Sequence, residues 1–200
     1  MKDKIILTDC DGVLLDWREG FLEWLPDHIS DTLAVDALGQ ENFNNAFDYD
    51  QRHIDDLAHE FNESDAIKSL EPWCDAVEYV PRLADLGFVF HAYTAMGTKE
   101  VSHRLRAYNL YTLFGDCFDV LQCLPVGSSK RFMLEQYQGS GLFWIEDHIG
   151  HAQDGHALGL KSVLVSDMSN AEHTDLDFPR TSIETPWQDI YEMVLKEYNL

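Results

Sequence analysis

The sequence predicts an α/β fold with a doubly wound parallel sheet, because short apolar runs alternate with helical patterns along the 200 residues. The runs are nearly continuous in apolar residues, as is typical of parallel strands that are covered on both faces. A chain of this length is typical of one domain, or of one domain that carries an insertion. The predicted strands are Ile5–Thr8, Phe88–Tyr93, Phe118–Leu121, Leu142–Ile145 and Ser162–Val165.

Helical periodicity occupies the intervals between these runs. Trp73, Val77, Val80 and Leu83 recur at three- and four-residue spacing and are followed by Gly87, a residue type that often ends a helix. Comparable patterns follow the second and third predicted strands. A last helix is predicted from an apolar stripe of Trp187, Ile190, Tyr191, Val194, Leu195 and Tyr198.

The interval between the first two predicted strands differs from the others. It holds no strand-like run over about 55 residues, which is too long for a simple crossover connection. Its sequence is acidic, rich in aromatic residues and helical in pattern. We therefore predict a core domain formed by residues 1–16 and 72–200, and a helical cap formed by residues 17–71.

Composition limits the possible partners. The chain carries 36 acidic side chains against 14 Lys and Arg, a net charge of −22, so polyanions such as nucleic acids and anionic membrane surfaces are not expected to bind. The four cysteines form no C-x-x-C pair, which argues against a zinc ribbon and favours reduced thiols. No apolar run is long enough to span a membrane, and we expect a cytoplasmic protein.

Two carboxylates stand directly after the first predicted strand, in the run Thr8-Asp9-Cys10-Asp11-Gly12. The carboxyl ends of parallel strands are where open α/β sheets bind ligands. Like charges two residues apart raise the pKa of one partner unless a cation compensates. Asp9 and Asp11 are therefore candidates for a nucleophile or metal ligand and for a proton carrier.

Three further features follow in chain order. Thr94 ends the second predicted strand beside Ala95, where a hydroxyl and backbone N–H groups could hold a phosphoryl oxygen. Lys130 begins a helix after the third strand, a position where a cation is unfavourable unless an anion lies nearby. Glu146 and Asp147 end the fourth strand and could complete a site for a hard cation such as Mg²⁺.

With these residues in place, the sequence resembles the haloacid dehalogenase-like (HAD) hydrolase superfamily over nearly its whole length. Asp9-Cys10-Asp11-Gly12-Val13-Leu14 is similar to the first motif of that family, and Thr94 and Lys130 match the second and third. Glu146-Asp147 matches the fourth motif. The resemblance implies a HAD-like core, with the long interval after the first motif corresponding to a family cap.

The resemblance also implies a chemistry. Asp9 would form an aspartyl-phosphate, and Asp11 would protonate the leaving oxygen and later activate water. Thr94, Ala95 and Lys130 would hold the phosphoryl group. Because a halide leaving group needs no proton, a carboxylate at Asp11 favours phosphate esters of small metabolites as substrates.

For the metal, the resemblance implies Mg²⁺ held by Asp9, the backbone carbonyl of Asp11, and Asp147. Many family members carry a second Asp where this chain has His151, and Glu146 could supply the missing carboxylate. Whether Glu146 or His151 completes the metal shell stays open at this stage. A transition-metal site in the His-rich run 146–156 is a weaker alternative than a polar helix start beside the active site.

The cap residues offer candidates for substrate contacts, Arg18 foremost among them because it follows the first motif closely. A phosphotransferase or phosphomutase of the same superfamily, or a nucleotidase-type phosphatase, remains an alternative to a metabolite phosphatase. A receiver-like phospho-acceptor is disfavoured, since it requires an Asp at the end of the third strand. The aromatic residues that could line a cleft or form the cap core are Trp17, Phe21, Trp24, Phe43, Phe47 and Tyr49.

Overall fold

The computed structural model describes residues 3–29, 51–172 and 175–200. Its centre is a five-stranded parallel sheet, with the strands in the order β3-β2-β1-β4-β5. All five predicted strands are confirmed, with ends that differ by one or two residues. They are β1 (Ile5–Thr8), β2 (Val89–Thr94), β3 (Phe118–Cys123), β4 (Phe143–Glu146) and β5 (Lys161–Leu164).

Helices connect the strands and confirm the α/β class. None of the described helices combines the length and the apolar character that crossing a bilayer requires. Short 3₁₀ turns occur at Leu25–Asp27, Asp65–Ser69 and Glu135–Tyr137. The α-helices are α1 (Trp17–Trp24), α2 (Gln51–Glu63), α3 (Ala76–Asp85), α4 (Glu100–Phe114), α5 (Arg131–Leu134), α6 (Ile149–Ala157) and α7 (Pro186–Tyr198).

Strand β1 lies at the centre of the sheet and is the point where the strand order reverses. Thr8 at its end pairs with Ala92 of β2 on one side and with Ile145 of β4 on the other. The chain leaves β2 and β4 in opposite directions, so a crevice opens beyond the carboxyl end of β1. Residues that directly follow Thr8 therefore enter that crevice.

The last helix supports the loop that follows β1. Trp187 of α7 is fully buried, and its indole Nε1–H donates to the backbone carbonyl of Val13 over 2.7 Å. Asp75 caps the same helix, because its carboxylate accepts from the backbone N–H groups of Trp187 and Gln188 at 2.9 and 2.8 Å. The loop after β1 is thus held from the far end of the sequence.

The described part of the predicted cap contains helices and no strand. Trp17 and Phe21 stack with ring centroids 4.8 Å apart, and Trp24 and Phe61 close the same aromatic cluster at 5.5 Å. Phe21 and Phe61 are fully buried, so these aromatic residues serve mainly as packing. Three other predicted lining residues, Phe43, Phe47 and Tyr49, lie outside the described residues.

The chain passes between the core and this helical segment at two adjacent points. The backbone N–H of Asp16 donates to the carbonyl of Glu71 over 2.9 Å, and that of Trp73 donates to Leu14 over 2.8 Å. These crossings coincide with the predicted boundaries at residues 16 and 72. That the segment is a domain of its own stays a prediction.

Candidate active site

The site forms where the loop after β1 meets the end of β4. Asp9 is 6% exposed, and its backbone N–H donates to the carbonyl of Ile145 over 2.9 Å, which continues the β1–β4 pairing. Gly12 lies at φ +72°, and a Cβ on it would stand 2.3 Å from Asp147 Oδ2. Only glycine therefore lets the two acidic strand ends come this close.

Lys130 is the buried cation of the site. Its Nζ lies 2.6 Å from Asp9 Oδ2 and 2.6 Å from Glu146 Oε1, and the residue is 2% exposed. Burial lowers the pKa of Lys130, but the two carboxylates outweigh burial and leave that pKa above its ordinary value. The ammonium stays charged, and the position before α5 that the sequence predicted is confirmed.

Glu146 is fully buried, and protein groups engage both of its carboxylate oxygens. Oε1 lies 3.0 Å from His151 Nδ1 in addition to Lys130, and Oε2 accepts the backbone N–H of His148 over 2.7 Å. Burial raises the pKa of Glu146, but Lys130 and the side chains of His151 and Asp147 lower it more, so its pKa falls well below the usual range. Glu146 thus holds Lys130 in place, and its predicted role as a metal ligand stays a prediction.

Three carboxylates, those of Asp9, Glu146 and Asp147, each offer an oxygen within 4.8 Å of the others. Burial first, and then Glu146 and Asp11, raise the pKa of Asp9 to about 7 despite the opposing effect of Lys130. Burial and Glu146 raise the pKa of Asp147 as well. One ammonium therefore does not compensate three carboxylates, two of them buried and the third partly buried.

The excess of carboxylates over cations bears on whether these residues could hold a metal ion. Asp9 Oδ1 is buried without a hydrogen-bond partner among the described residues. An unpaired oxygen amid surplus negative charge fits a divalent cation, and an all-carboxylate donor set fits a hard one such as Mg²⁺.

Asn170 positions the second acidic strand end and was not predicted from the sequence. Its Nδ2–H groups donate to the backbone carbonyls of Asp147 at 3.0 Å and of Val165 at 2.8 Å. Arg180 in turn donates to Asn170 Oδ1 over 3.3 Å. An amide in a loop after β5 gives no motif, so only the structure identifies this contact.

On the other side of Asp9, Asp11 is held by two groups. Its Oδ1 lies 2.6 Å from Arg106 Nη2, and its Oδ2 accepts the hydroxyl of Thr94 over 3.3 Å. The hydroxyl predicted to hold a phosphoryl oxygen is fully buried and donates to a carboxylate here. Its predicted contact with substrate stays a prediction, as does that of Ala95.

Arg106 was not predicted from the sequence. The only trace is a polar stripe on α4 at helical spacing, where Ser102, Arg106 and Asn109 are all buried. Such a stripe interrupts the apolar pattern of a core helix and could have suggested a polar partner on the facing element.

Two clefts reach these side chains. The larger, of about 420 Å³, is lined by Asp9, Asp11, Lys130 and Asp147, with Ala95, His148 and His151 at its wall. The smaller, of about 300 Å³, is lined by Asp11, Arg18 and Asp147. Trp17 borders both clefts, and the cap residues Ala58 and Asn62 line the larger one.

Cys10 stands between the two aspartates and is fully buried. Burial raises the pKa of its thiol well above the ordinary value, and the neighbouring carboxylates add to that increase while Arg106 opposes it. A thiolate nucleophile at Cys10 is therefore disfavoured.

Comparisons with known proteins place this geometry in a wider context. No family model matches the chain. A protein of Enterobacteria phage T4, described as an uncharacterized 32.4 kDa protein in the Gp30-rIII intergenic region, is 28% identical over 195 residues, which cover 92% of this chain and 67% of that protein.

Solved structures are similar over nearly the full length at low identity. A predicted phosphatase from Clostridium acetobutylicum superposes with a TM-score of 0.63 at 14% identity, covering 98% of this chain and all of that one. A HAD family hydrolase from Deinococcus radiodurans, solved with phosphate and sodium, gives 0.57 at 16%, covering 100% and 98%. An L-2-haloacid dehalogenase gives 0.58 at 16%, covering 96% and 99%.

At these identities the likeness shows the fold and leaves the reaction open, because the same fold supports different chemistries. Phosphatases and dehalogenases both stand among the similar structures. The five-stranded parallel sheet with its flanking helices is therefore the haloacid dehalogenase-like hydrolase fold.

Proposed function

We propose that this protein is a Mg²⁺-dependent phosphohydrolase that cleaves a phosphate monoester of a small metabolite through an aspartyl-phosphate. One observation carries the proposal: a buried carboxylate, Asp9, shares a cleft with one ammonium and a second acidic strand end, while a further carboxylate stands two residues away. Phosphoryl transfer needs this combination of nucleophile, positive charge and proton carrier.

In the first half of the reaction, Asp9 attacks phosphorus, and the bond to the leaving oxygen breaks as the bond to Asp9 forms. Asp11 gives its proton to the leaving oxygen, so the product departs as a neutral alcohol. Lys130 lies 2.6 Å from Asp9 and offsets the negative charge of the group in transfer.

In the second half, water attacks the phosphorus of the aspartyl-phosphate and passes a proton to Asp11. The bond between phosphorus and Asp9 breaks, which releases inorganic phosphate and restores the Asp9 carboxylate and the protonated Asp11. The partly exposed side chain of Asp11 borders both clefts, so it can serve the leaving group and the water from one position.

Asp9, Asp147 and the backbone carbonyl of Asp11 would hold the Mg²⁺, with Glu146 ligating directly or through water. When bound, the cation neutralises charge on the phosphoryl oxygens and on the crowded carboxylates. The two clefts, of about 420 and 300 Å³, suit a small molecule rather than a polymer. As part of the proposal, the protein acts in the cytoplasm, where its four free cysteines would stay reduced.

Phosphatase chemistry is favoured over dehalogenation by Asp11. A departing halide needs no proton, and a second carboxylate beside the nucleophile would only repel the negative charge that develops on it. The Arg106 and Thr94 contacts keep the Asp11 carboxylate at the cleft.

The test is release of inorganic phosphate from a panel of small phosphate monoesters, with Mg²⁺ and with a chelator. We expect turnover by the wild type with Mg²⁺, loss by a factor of roughly 10³ or more in Asp9→Asn, and loss on chelation. Asp119→Asn, which changes an exposed carboxylate on β3, is the matched control and should behave as wild type. Turnover that survives in folded Asp9→Asn would disprove the nucleophile, and halide release from 2-haloacids would replace the phosphatase proposal.

A further inference from the structure

Arg106 is a fully buried guanidinium at the edge of the site, on the core helix α4. Its Nη2 lies 2.6 Å from Asp11 Oδ1, and the ion pairs of the described residues give it no other carboxylate. A buried charge is costly unless it is paired, and an apolar side chain would fill the same space without that cost. A role beyond packing is therefore indicated.

The other groups around Arg106 are poor acceptors. Its Nε–H points to Met96 Sδ at 3.1 Å, and the thiols of Cys10 and Cys123 are its further electrostatic neighbours. Neither Nη1 nor Nη2 makes a hydrogen bond of good geometry to a described residue, so Arg106 is joined to Asp11 by an ion pair. Thioethers and thiols accept hydrogen bonds weakly, so Asp11 is the one strong acceptor in this environment.

Arg106 and Thr94 act on different oxygens of Asp11. Arg106 forms an ion pair with Oδ1 and the Thr94 hydroxyl donates to Oδ2, so the two contacts restrict the carboxyl group from both of its oxygens. The Asp11 side chain remains 26% exposed, and it borders both clefts. The carboxylate is thus oriented from the protein side and accessible from the substrate side.

We propose that Arg106 is the positioning residue for Asp11: the buried guanidinium orients the Asp11 carboxyl group, which takes a proton from water in one half of the cycle and gives it to the leaving oxygen in the next. The inference rests on the proposed function and deepens it, because it assigns the orientation of the proton carrier to a residue on α4. Arg106 itself touches neither the substrate nor the metal in this role.

The test compares leaving groups. In Arg106→Met, an apolar side chain replaces the guanidinium beside Met96. An alkyl phosphate such as glycerol phosphate depends on proton donation to its leaving oxygen, whereas p-nitrophenyl phosphate releases a stable anion and depends on it little. We expect kcat/KM for the alkyl ester to fall about 10- to 100-fold more than kcat/KM for the aryl ester.

Two further variants separate positioning from stability. In the Asp11→Asn background, Arg106→Met should reduce kcat/KM by less than about twofold, because the group it positions is already gone. Arg104→Met removes an exposed arginine from the same helix and should leave both substrates unaffected. If Arg106→Met does not fold, Arg106→Lys keeps the charge but loses the planar fork, and should show the same bias toward aryl esters more weakly.

The outcomes distinguish the two proposals. Equal losses for alkyl and aryl esters, or an undiminished loss in the Asp11→Asn background, would overturn the role of Arg106 while phosphatase activity stands. If wild type releases no phosphate from any ester and Asp9→Asn changes nothing, the proposed function fails, and the positioning role fails with it.

Discussion

The two aspartates after β1 lie in contrasting surroundings. Asp9 shares Lys130 with Glu146 and has Asp147 close by, so three carboxylates face one ammonium. Among the described residues, Asp11 has Arg106 as its one cationic partner, one carboxyl group against one guanidinium. The residues around Asp9, namely Lys130, Glu146 and Asp147, form the Asp9 side and carry more negative than positive charge. Asp11 and Arg106 form the Asp11 side, in which the two charges balance.

This difference in charge suits the two aspartates to different roles. Surplus negative charge creates a binding site for a cation, whereas a balanced pair fixes an orientation and leaves no charge to attract one. The two sides also differ in what holds them. The charge of Asp9 is compensated by a residue of the core, Lys130. Near Asp11, by contrast, Arg106 contacts the sulfur of Met96, and the carbonyl of Met96 accepts from Asn62 of α2 at 3.0 Å. The Asp11 side thus borders the cap.

The largest expected effect is that of Lys130→Met, which removes the one cation that the described residues place beside Asp9. Asp9 and Glu146 would remain buried without their partner, so we expect a loss of about 3–5 kcal/mol in the free energy of unfolding at pH 7, together with loss of turnover. Chemical denaturation measures the first quantity. Arg131→Met, the exposed neighbour, is the control and should cost about 1 kcal/mol or less. Unchanged stability of Lys130→Met would mean that the surplus charge is compensated elsewhere.

Removal of Mg²⁺ is expected to lower stability through the carboxylates of the Asp9 side and not through Asp11. Mg²⁺ at 100 times its dissociation constant should stabilise the wild type by about 2.7 kcal/mol, as measured by the thermal midpoint with and without a chelator. Asp147→Asn should abolish this gain, because it removes a carboxylate from the cluster. Asp11→Asn should keep most of it, since the Asp11 side chain is engaged by Arg106. If both variants lost the Mg²⁺-dependent stabilisation equally, the assignment of the cation to the Asp9 side would be wrong.

The metal-free protein should lose stability as the pH rises. The pKa of Asp9 is raised to about 7 in the folded state, from 3.8 in the unfolded chain. The folded state therefore holds the proton more tightly, and the resulting stability is fully present below about pH 4 and lost as the pH rises through 7. The raised pKa of Asp147 acts in the same direction, while the lowered pKa of Glu146 matters only at lower pH.

We expect a difference of about 1–3 kcal/mol between pH 5 and pH 7.5 in a chelator, measured by denaturation. Asp9→Asn should flatten this dependence, because the titrating group is gone. A wild type that gains stability over the same interval would show that the surplus charge is not on the Asp9 side.

The smallest effect concerns the link between the Asp11 side and the cap. Asn62→Leu removes the acceptor of the Trp17 indole N–H, at 2.7 Å, and the donor to Met96. We expect a loss of about 1–2 kcal/mol and a several-fold rise in KM with a smaller change in kcat. Lys99→Met, which breaks the exposed ion pair to Glu63, should cost no more than about 1 kcal/mol and leave KM unchanged. Equal effects of the two variants would remove the special role of Asn62.

The sequence predicts the parts of this molecule that depend on local pattern. Apolar runs locate the five strands, and the strand ends bring Asp9, Lys130 and Asp147 together because parallel strands share one edge. It does not reveal Arg106, since pairing across 95 residues follows no local spacing. It also does not show that protein groups engage both oxygens of Glu146, which depends on the turn into α6.

The hydrogen bond between Trp187 and Val13 limits when the loop after β1 can reach its final structure during synthesis of the chain. The loop that carries both aspartates is synthesised before α7, yet its carbonyl at Val13 is satisfied by an indole 174 positions later. Strand β1 likewise needs β4, which also emerges late. During synthesis on the ribosome this site therefore cannot be completed until α7 has been made, because the loop that carries the aspartates lacks its hydrogen bond from Trp187 until then.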